Sequence, residues 1–91
     1  MSETSDPLLR LREDGLSWRA LEGEVIALDL SESLYLSANA SGALLWQALA
    51  RGATRAELEA TLVDAYAIEP ERARADVDAF LADAEERGLL A

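Results

Sequence analysis

"DLSESLYLSANASGALLWQAL", residues 29–49, decides the fold. Apolar and polar residues alternate through Leu34, Tyr35, Leu36 and Ser37, the period of a half-buried strand. Beyond Asn39 and Ser41 the period changes, and Leu44, Leu45, Trp46 and Leu49 recur at helical spacing. A strand therefore runs almost directly into a helix. Working back from it, "LSWRAL" (16–21) and "EVIALDL" (24–30) flank Glu22-Gly23, a tight-hairpin signal. In the second run Ile26, Leu28 and Leu30 share one face, with Glu24 and Asp29 on or near the solvent side. "SES" (31–33) is the next turn and "LYLS" (34–37) the third strand. Before them, Asp14-Gly15 marks a turn and "LLRLR" (8–12) reads as a short extended segment or a docked arm. Residues 1–7 are expected to be a flexible tail ending at Pro7, and 8–91 a single domain.

Forward of the quoted stretch, Asn39 or Ser41 is positioned to cap a first helix running to about Ala50, which Gly52 ends. Thr54 and Glu57 form a T-x-x-E capping box for a second helix through about Ala65, with Leu58, Leu62 and Val63 inward. Tyr66 to Ile68 turns the chain. Pro70, after Glu69, fits the first position of a third helix. That helix carries Ala73, Val77, Phe80, Leu81 and Ala84 at spacings of three and four, and Arg87-Gly88 closes it. Leu89 and Leu90 are expected to fold back onto the core. The order βββααα is an α+β, winged-helix-like arrangement, a three-stranded antiparallel sheet followed by three helices.

Composition narrows the function. Of the 91 residues 51% are apolar, enough for one modest core in a domain that buries roughly 60–65% of its unfolded surface. No apolar run approaches the roughly 20 residues of a membrane span. "MSETSDP" has neither a basic nor an apolar signal region, so a cytoplasmic protein with no membrane partner is expected. Cys and His are both absent, which removes disulfides, thiol nucleophiles, zinc clusters and the commonest general base. No D-x-D-x-D-G calcium loop occurs. A domain this small also has little room for a substrate cleft of about 300 Å3 or more. The expectation is a protein that is not an enzyme, with no catalytic residue, no metal and no cofactor. Eighteen acidic residues stand against eight arginines and no lysine, a net charge of −10. That field repels phosphate, so no nucleic acid is expected. A DNA-binding winged helix needs a basic recognition helix, whereas this second helix reads "TRAELEATLVDAY".

The third strand closes the meander, and one of its edges has no adjacent strand. Edge strands are normally blunted by charge, Pro or a covering element. "LYLS" has neither charge nor Pro. Either the Leu89-Leu90 segment or "LLRLR" covers this edge, or a peptide adds there as a fourth strand.

The pattern "GEVIALDLSESLYLSANASGALLWQAL", then "GATRAELEATLVDAY", then "ARADVDAFLADAEERGLL", resembles the pyrroloquinoline quinone biosynthesis protein D family. The matching residues are Asp29, Tyr35, Asn39, Gly42, Trp46, Ala75, Asp76, Val77, Phe80, Leu81, Gly88 and Leu89, over about residues 16–91. Ala38 stands where family members more often have Leu, which predicts a looser strand-to-helix junction. Members are the stand-alone form of the recognition element for ribosomally synthesised, post-translationally modified peptides. The resemblance implies a chaperone that binds the leader of a precursor peptide against the third strand, in the groove beside the third helix. It implies delivery to a modifying enzyme, either a radical SAM enzyme or the leader peptidase of a lasso-peptide pathway. Mapped here, Leu34, Tyr35, Leu36 and Ser37 offer backbone groups. Arg74, Val77, Asp78, Leu81 and Glu85 form the opposite wall, with Val77 and Leu81 receiving apolar side chains and Arg74 a carboxylate.

Blander readings stand beside these. Val77, Phe80 and Leu81 suit the core, Tyr35 suits packing on Trp18 or Trp46, and Arg74 suits an ion pair with Asp78 one turn on. The strand edge also suits a homodimer, so a structural adaptor or dimerisation module is the alternative function. A carrier protein is a further one, although its D-S-L motif has only Ser33-Leu34 after Glu32 to match it.

Overall fold

The turns place the strands. The computed structural model describes residues 7–91, so the tail expected over 1–7 lies, apart from Pro7, outside the described residues. Glu22-Gly23, with Gly23 at φ 71°, joins β1 (Leu16–Leu21) to β2 (Glu24–Asp29). A four-residue loop, 30–33, joins β2 to β3 (Leu34–Asn39). The sheet order is β1-β2-β3, all antiparallel, with Trp18, Ala27 and Leu36 in register across it.

The sheet turns the opposite face to the core from the one expected. Val25, Ala27 and Asp29 point inward and are buried, whereas Leu28 is 46% exposed on the outer face beside the half-buried Ile26. Leu30 sits in the loop at 63% exposure. Two causes select this parity. Val25 and Ala27 on β2 join Leu45, Trp46 and Leu49 of helix α1 (Ser41–Arg51) in one buried cluster. Asp29, for its part, finds partners only on the inner side. Its Oδ1 accepts from the Ser31 hydroxyl at 2.8 Å and from the Ser31 and Glu32 backbone N–H groups at 3.1 and 3.3 Å. Nη2 of Arg12 lies 2.9 Å from its Oδ2. The Ser31 hydroxyl first, then the Arg12 guanidinium and the Glu32 N–H, hold the carboxyl below its usual range against the opposing effect of burial. The buried acid thus fixes the loop that launches β3.

Neither Asn39 nor Ser41 caps α1. The N-cap is Ala40, at φ 50° and ψ −123°, with no side-chain cap hydrogen bond. The chain swings from strand to helix through this one residue in a conformation that favours glycine. The junction closes on small side chains: a Cβ placed on Gly42 would stand 3.3 Å from that of Ala38. Helix α2 (Arg55–Tyr66) carries the capping box as read, with Glu57 N–H to the Thr54 hydroxyl at 3.1 Å and Thr54 N–H to the Glu57 carboxylate at 2.9 Å. Helix α3 (Pro70–Glu86) has Pro70 in its first turn. It ends in a Schellman motif, with Leu89 N–H to Ala84 O at 2.9 Å, Gly88 N–H to Glu85 O at 3.0 Å, and Gly88 at φ 71°. Ala73, Val77, Leu81 and Ala84 of α3 join Leu45, Trp46, Leu49, Leu58 and Leu62 in one core.

The two segments that could have covered β3 bind each other instead. Leu9 pairs with Ala53 just past α1, and Leu11 bridges Leu90. Arg12 N–H donates to Leu89 O at 2.8 Å, and Ala91 N–H to Arg10 O at 2.9 Å. Arm and C-terminal residues therefore zip together below the end of α1. No helix among the described residues is long and apolar enough to cross a membrane.

Candidate functional site

Among the described residues β3 pairs with β2 alone. Two hydrogen bonds outside the strands fix which of its backbone groups are left over. Ala40 N–H donates to Gly23 O at 3.2 Å, which makes the neighbouring Glu24–Asn39 pair a non-hydrogen-bonded one. Alternation then gives Ala38, Leu36 and Leu34 the bonds to β2. Leu30 N–H to Gly15 O at 2.7 Å gives the same phase on the β1 side. Tyr35, Ser37 and Asn39 consequently direct their N–H and C=O groups to the open edge. Of the four residues read as offering backbone groups, Tyr35 and Ser37 do so, Leu34 and Leu36 do not, and Asn39 joins them. The side chains of Tyr35 and Ser37 lie on the outer face, and Tyr35 is 63% exposed. Neither tryptophan needs it: Trp18 and Trp46 meet edge to face at 6.2 Å between ring centroids.

A groove follows the open edge, with α3 as its far wall. Its middle is a pocket of about 210 Å3 lined by Leu36, Ala38, Trp46, Phe80 and Leu89, with Asp83 and Arg87 also on its wall. At the β2–β3 loop it opens past Glu32, Leu34, Asp83, Glu86 and Arg87. In line with β3, a separate pocket of about 260 Å3 lies between Ala40, Ser41, Leu62, Tyr66, Ile68 and the first turns of α3 at Arg72 and Asp76. The α3 wall is thus the stripe Arg72, Asp76, Phe80, Asp83 and Arg87, successive residues three or four apart. Two intrahelical ion pairs lie along it, Arg87–Asp83 at 3.0 Å and Arg72–Asp76 at 3.9 Å.

This is a different flank from the one read from sequence. Val77 and Leu81 are buried in the core, at 0% and 5% exposure, and have no free surface for a ligand. Asp78 faces α2, where it pairs with Arg55, and Arg74 makes no ion pair among the described residues. Arg74 and Glu85 are exposed on the Asp78 side of the core stripe and line none of the pockets along β3. The periodicity of α3 located the core stripe correctly. Which of the two neighbouring flanks looks at β3 depends on how the helices are laid on the sheet, and spacing along one helix carries no such information.

The other free edge, on β1, offers no equivalent. Five of its six residues are exposed, and the nearest pocket is a shallow one over the outer face, lined only by residues of β1 and β2. Among the described residues no group of three or more His, Cys, Asp or Glu side chains is placed to hold a metal ion.

Comparison with known proteins adds an independent line. Residues 24–90 match the family described as Coenzyme PQQ synthesis protein D (PqqD). Among solved structures, the chain is similar to TbiB1 in complex with the TbiA(beta) leader peptide, with a TM-score of 0.82 and 22% identity over 89% of this chain and 93% of that one. It is also similar to a lasso peptide synthetase B1 complexed with the leader peptide, with a TM-score of 0.78 and 26% identity over 91% and 96%. No curated protein matches.

Proposed function

The chain belongs to the PqqD family, and from that premise we propose that it captures the leader of a ribosomally made precursor peptide by strand addition and presents it to a separate enzyme. One observation carries the reading: an unblunted strand edge, with the backbone of Tyr35, Ser37 and Asn39 unpaired among the described residues, faces a groove with apolar side chains at its middle and a largely charged α3 wall. Main-chain bonds to that edge supply affinity, and the pockets beneath it select alternate leader side chains. The leader runs antiparallel to β3, so its earlier residues lie near Ala40 and Ile68 and its later ones leave past Glu32 and Arg87. The wall it meets is Phe80, Asp83 and Arg87 rather than Arg74, Val77, Asp78, Leu81 and Glu85.

In this reading the chain is an adaptor and not an enzyme, and it works in the cytoplasm without metal or cofactor. Similarity to a lasso peptide synthetase B1 supports a leader peptidase, ahead of a radical SAM enzyme, as the receiving partner. The test is an NMR titration of labelled protein with the synthetic leader of the precursor encoded beside its gene. Shifts centred on Tyr35, Ser37, Asn39, Phe80, Asp83 and Arg87, saturating at micromolar concentration or below, are expected. Saturable binding with shifts confined to other surfaces would remove the groove from the reading.

A second reading uses the same edge for pairing with another copy of the chain. Sedimentation separates the two. A dimer that the leader dissolves belongs to the first, and a dimer indifferent to the leader belongs to the second.

A further inference from the structure

The two walls of the groove scarcely touch each other. β3 packs on β2 and α1, whereas α3 packs on α2. Among the described residues no hydrogen bond or ion pair runs directly from β3 or its 30–33 loop to α3 or to residues 87–91. One residue joins the two sides. The Arg12 N–H donates to Leu89 O at 2.8 Å, and Leu89, just past α3, lines the middle pocket. The Arg12 side chain reaches the other way: Nη2 lies 2.9 Å from the Asp29 carboxylate, and Nη1 donates to the Ser31 hydroxyl at 3.4 Å. Asp29 and Ser31 hold the loop that leads into Leu34, which lines the groove's exit. Arg12 itself lines none of the pockets along β3 and lies in a separate recess with Arg10, Glu13 and Ala91. It also precedes the stretch 24–90 that matches the family.

We propose that Arg12 is a positioning residue for leader binding: by tying Leu89 to the β2–β3 loop, it fixes the spacing of the two groove walls where the leader leaves. This rests on the leader-binding reading and adds to it a residue that never meets the leader. A strand that bonds to the edge of β3 must also fit its side chains against Phe80 and Leu89, so affinity depends on both walls at once. Without the tie, the free domain samples several wall spacings, and only the fraction with the right one binds. Arg12 suits the task at each end. Its backbone is held in place by its neighbours, with Leu11 N–H donating to Leu49 O at 3.2 Å and Arg10 O accepting from Ala91 N–H at 2.9 Å. Its guanidinium meets a carboxylate that is 2% exposed, away from the water that weakens surface ion pairs. The planar fork spans Asp29 and Ser31 together, which the compact ammonium of a lysine does not.

The sequence contains no cysteine, so a single one placed in the loop carries a spin label without competition. Labelled at Glu32→Cys, the free domain should broaden the amides of Asp83, Glu86 and Gly88 across the exit. The same label is then read in two variants. Arg12→Lys keeps a charge beside Asp29 and loses the second contact, and Arg12→Met with Asp29→Asn removes the ion pair without stranding a buried charge. Thr54→Ala, which weakens the α2 cap away from the groove, controls for stability alone. Broadening should fall in both Arg12 variants and hold in Thr54→Ala. Calorimetry on the unlabelled proteins, with the synthetic leader encoded beside the gene, reads the affinity. Kd should rise about two- to threefold in Arg12→Lys. In the double variant it should rise about five- to tenfold, as when about a fifth to a tenth of the molecules hold the right spacing. Thr54→Ala should bind as wild type does. If the double variant does not fold, Arg12→Lys alone decides. Wild-type affinity in a folded Arg12 variant, or an equal loss in Thr54→Ala, would overturn this inference and leave leader binding standing. A wild-type protein that ignores the leader would bring down leader binding and this role of Arg12 together.

Discussion

Two neighbouring prolines should separate binding from folding. Ser37 sends its N–H to the open edge, so Ser37→Pro removes a donor that the free domain does not use. Thermal stability is expected to stay within about 4 °C of wild type, the equivalent of under about 1 kcal/mol in a domain of this size. A leader strand, in contrast, loses one of the two bonds it exchanges with Ser37, and the ring crowds the other. The loss of about 1–3 kcal/mol raises Kd roughly 5- to 150-fold. Leu36→Pro acts in the opposite sense. The Leu36 N–H belongs to the ladder with Ala27, so its removal leaves a carbonyl in the sheet unpaired and forces a ring against β2. A cost of about 2–3 kcal/mol lowers the unfolding midpoint by about 8 °C or more. Isothermal titration calorimetry with the leader and a thermal melt on each variant read both quantities. If Leu36→Pro is benign and Ser37→Pro unfolds the domain, the assigned phase of the ladder is wrong. If Ser37→Pro is stable and binds as wild type does, the leader is not held by this edge.

Asp29 predicts an acid limb. Its folded pKa is depressed, so its contribution is present above the unfolded value of about 3.9 and is lost as pH falls through the lower folded value. Urea midpoints measured from pH 6 to pH 2 should therefore decline at the acid end, and Asp29→Asn should flatten that decline while lowering stability at neutral pH. Ala40→Gly should stabilise the domain by about 1 kcal/mol, because relief of the positive φ outweighs the added freedom of the unfolded chain; a lower melting temperature would count against strain at the junction. Thr54→Ala should cost about 1 kcal/mol, and Glu57→Ala added to it should cost less than it does alone, since both serve one capping box. Arg87→Ala should alter leader affinity severalfold, whereas Arg74→Ala on the far flank should leave it unchanged; equal effects would return the wall to the Arg74 side.

Four element boundaries were legible because each was written in local chemistry: Gly23 in its turn, the Thr54–Glu57 box, Pro70 at a helix start, Gly88 at a helix end. The order of the meander followed from its short connections. The face of β2 was not legible. Val25 and Ala27 compete with the larger Ile26 and Leu28, and hydropathy favours the larger pair. The choice is made by packing against α1 and by Arg12, which reaches Asp29 from 17 positions away in the chain. Burial of an aspartate is seldom read from sequence, because its partner is remote. The cap of α1 failed for a related reason: Asn39 still belongs to the strand, and Ala40 makes the swing. In the groove, β3 was found and its free edge anticipated. Ladder phase and the flank of α3 are both products of three-dimensional assembly.

The zip between Arg10 and Ala91 gives the domain a portable geometry. With those two residues hydrogen-bonded side by side, a domain cut at Arg10 and Ala91 would have its two ends together. Spliced into a surface loop of another protein, it would hang from a single point and leave the host's loop ends undisplaced. The β3–α3 cleft would then travel as a self-contained reader, and a host enzyme could acquire recognition of a tagged substrate without rebuilding its own fold. A fusion that strips residues 8–12, by contrast, would remove Arg12 from Asp29 and slacken the loop that launches β3. The arm thus helps to hold the loop that launches β3, although it never touches the open edge of that strand.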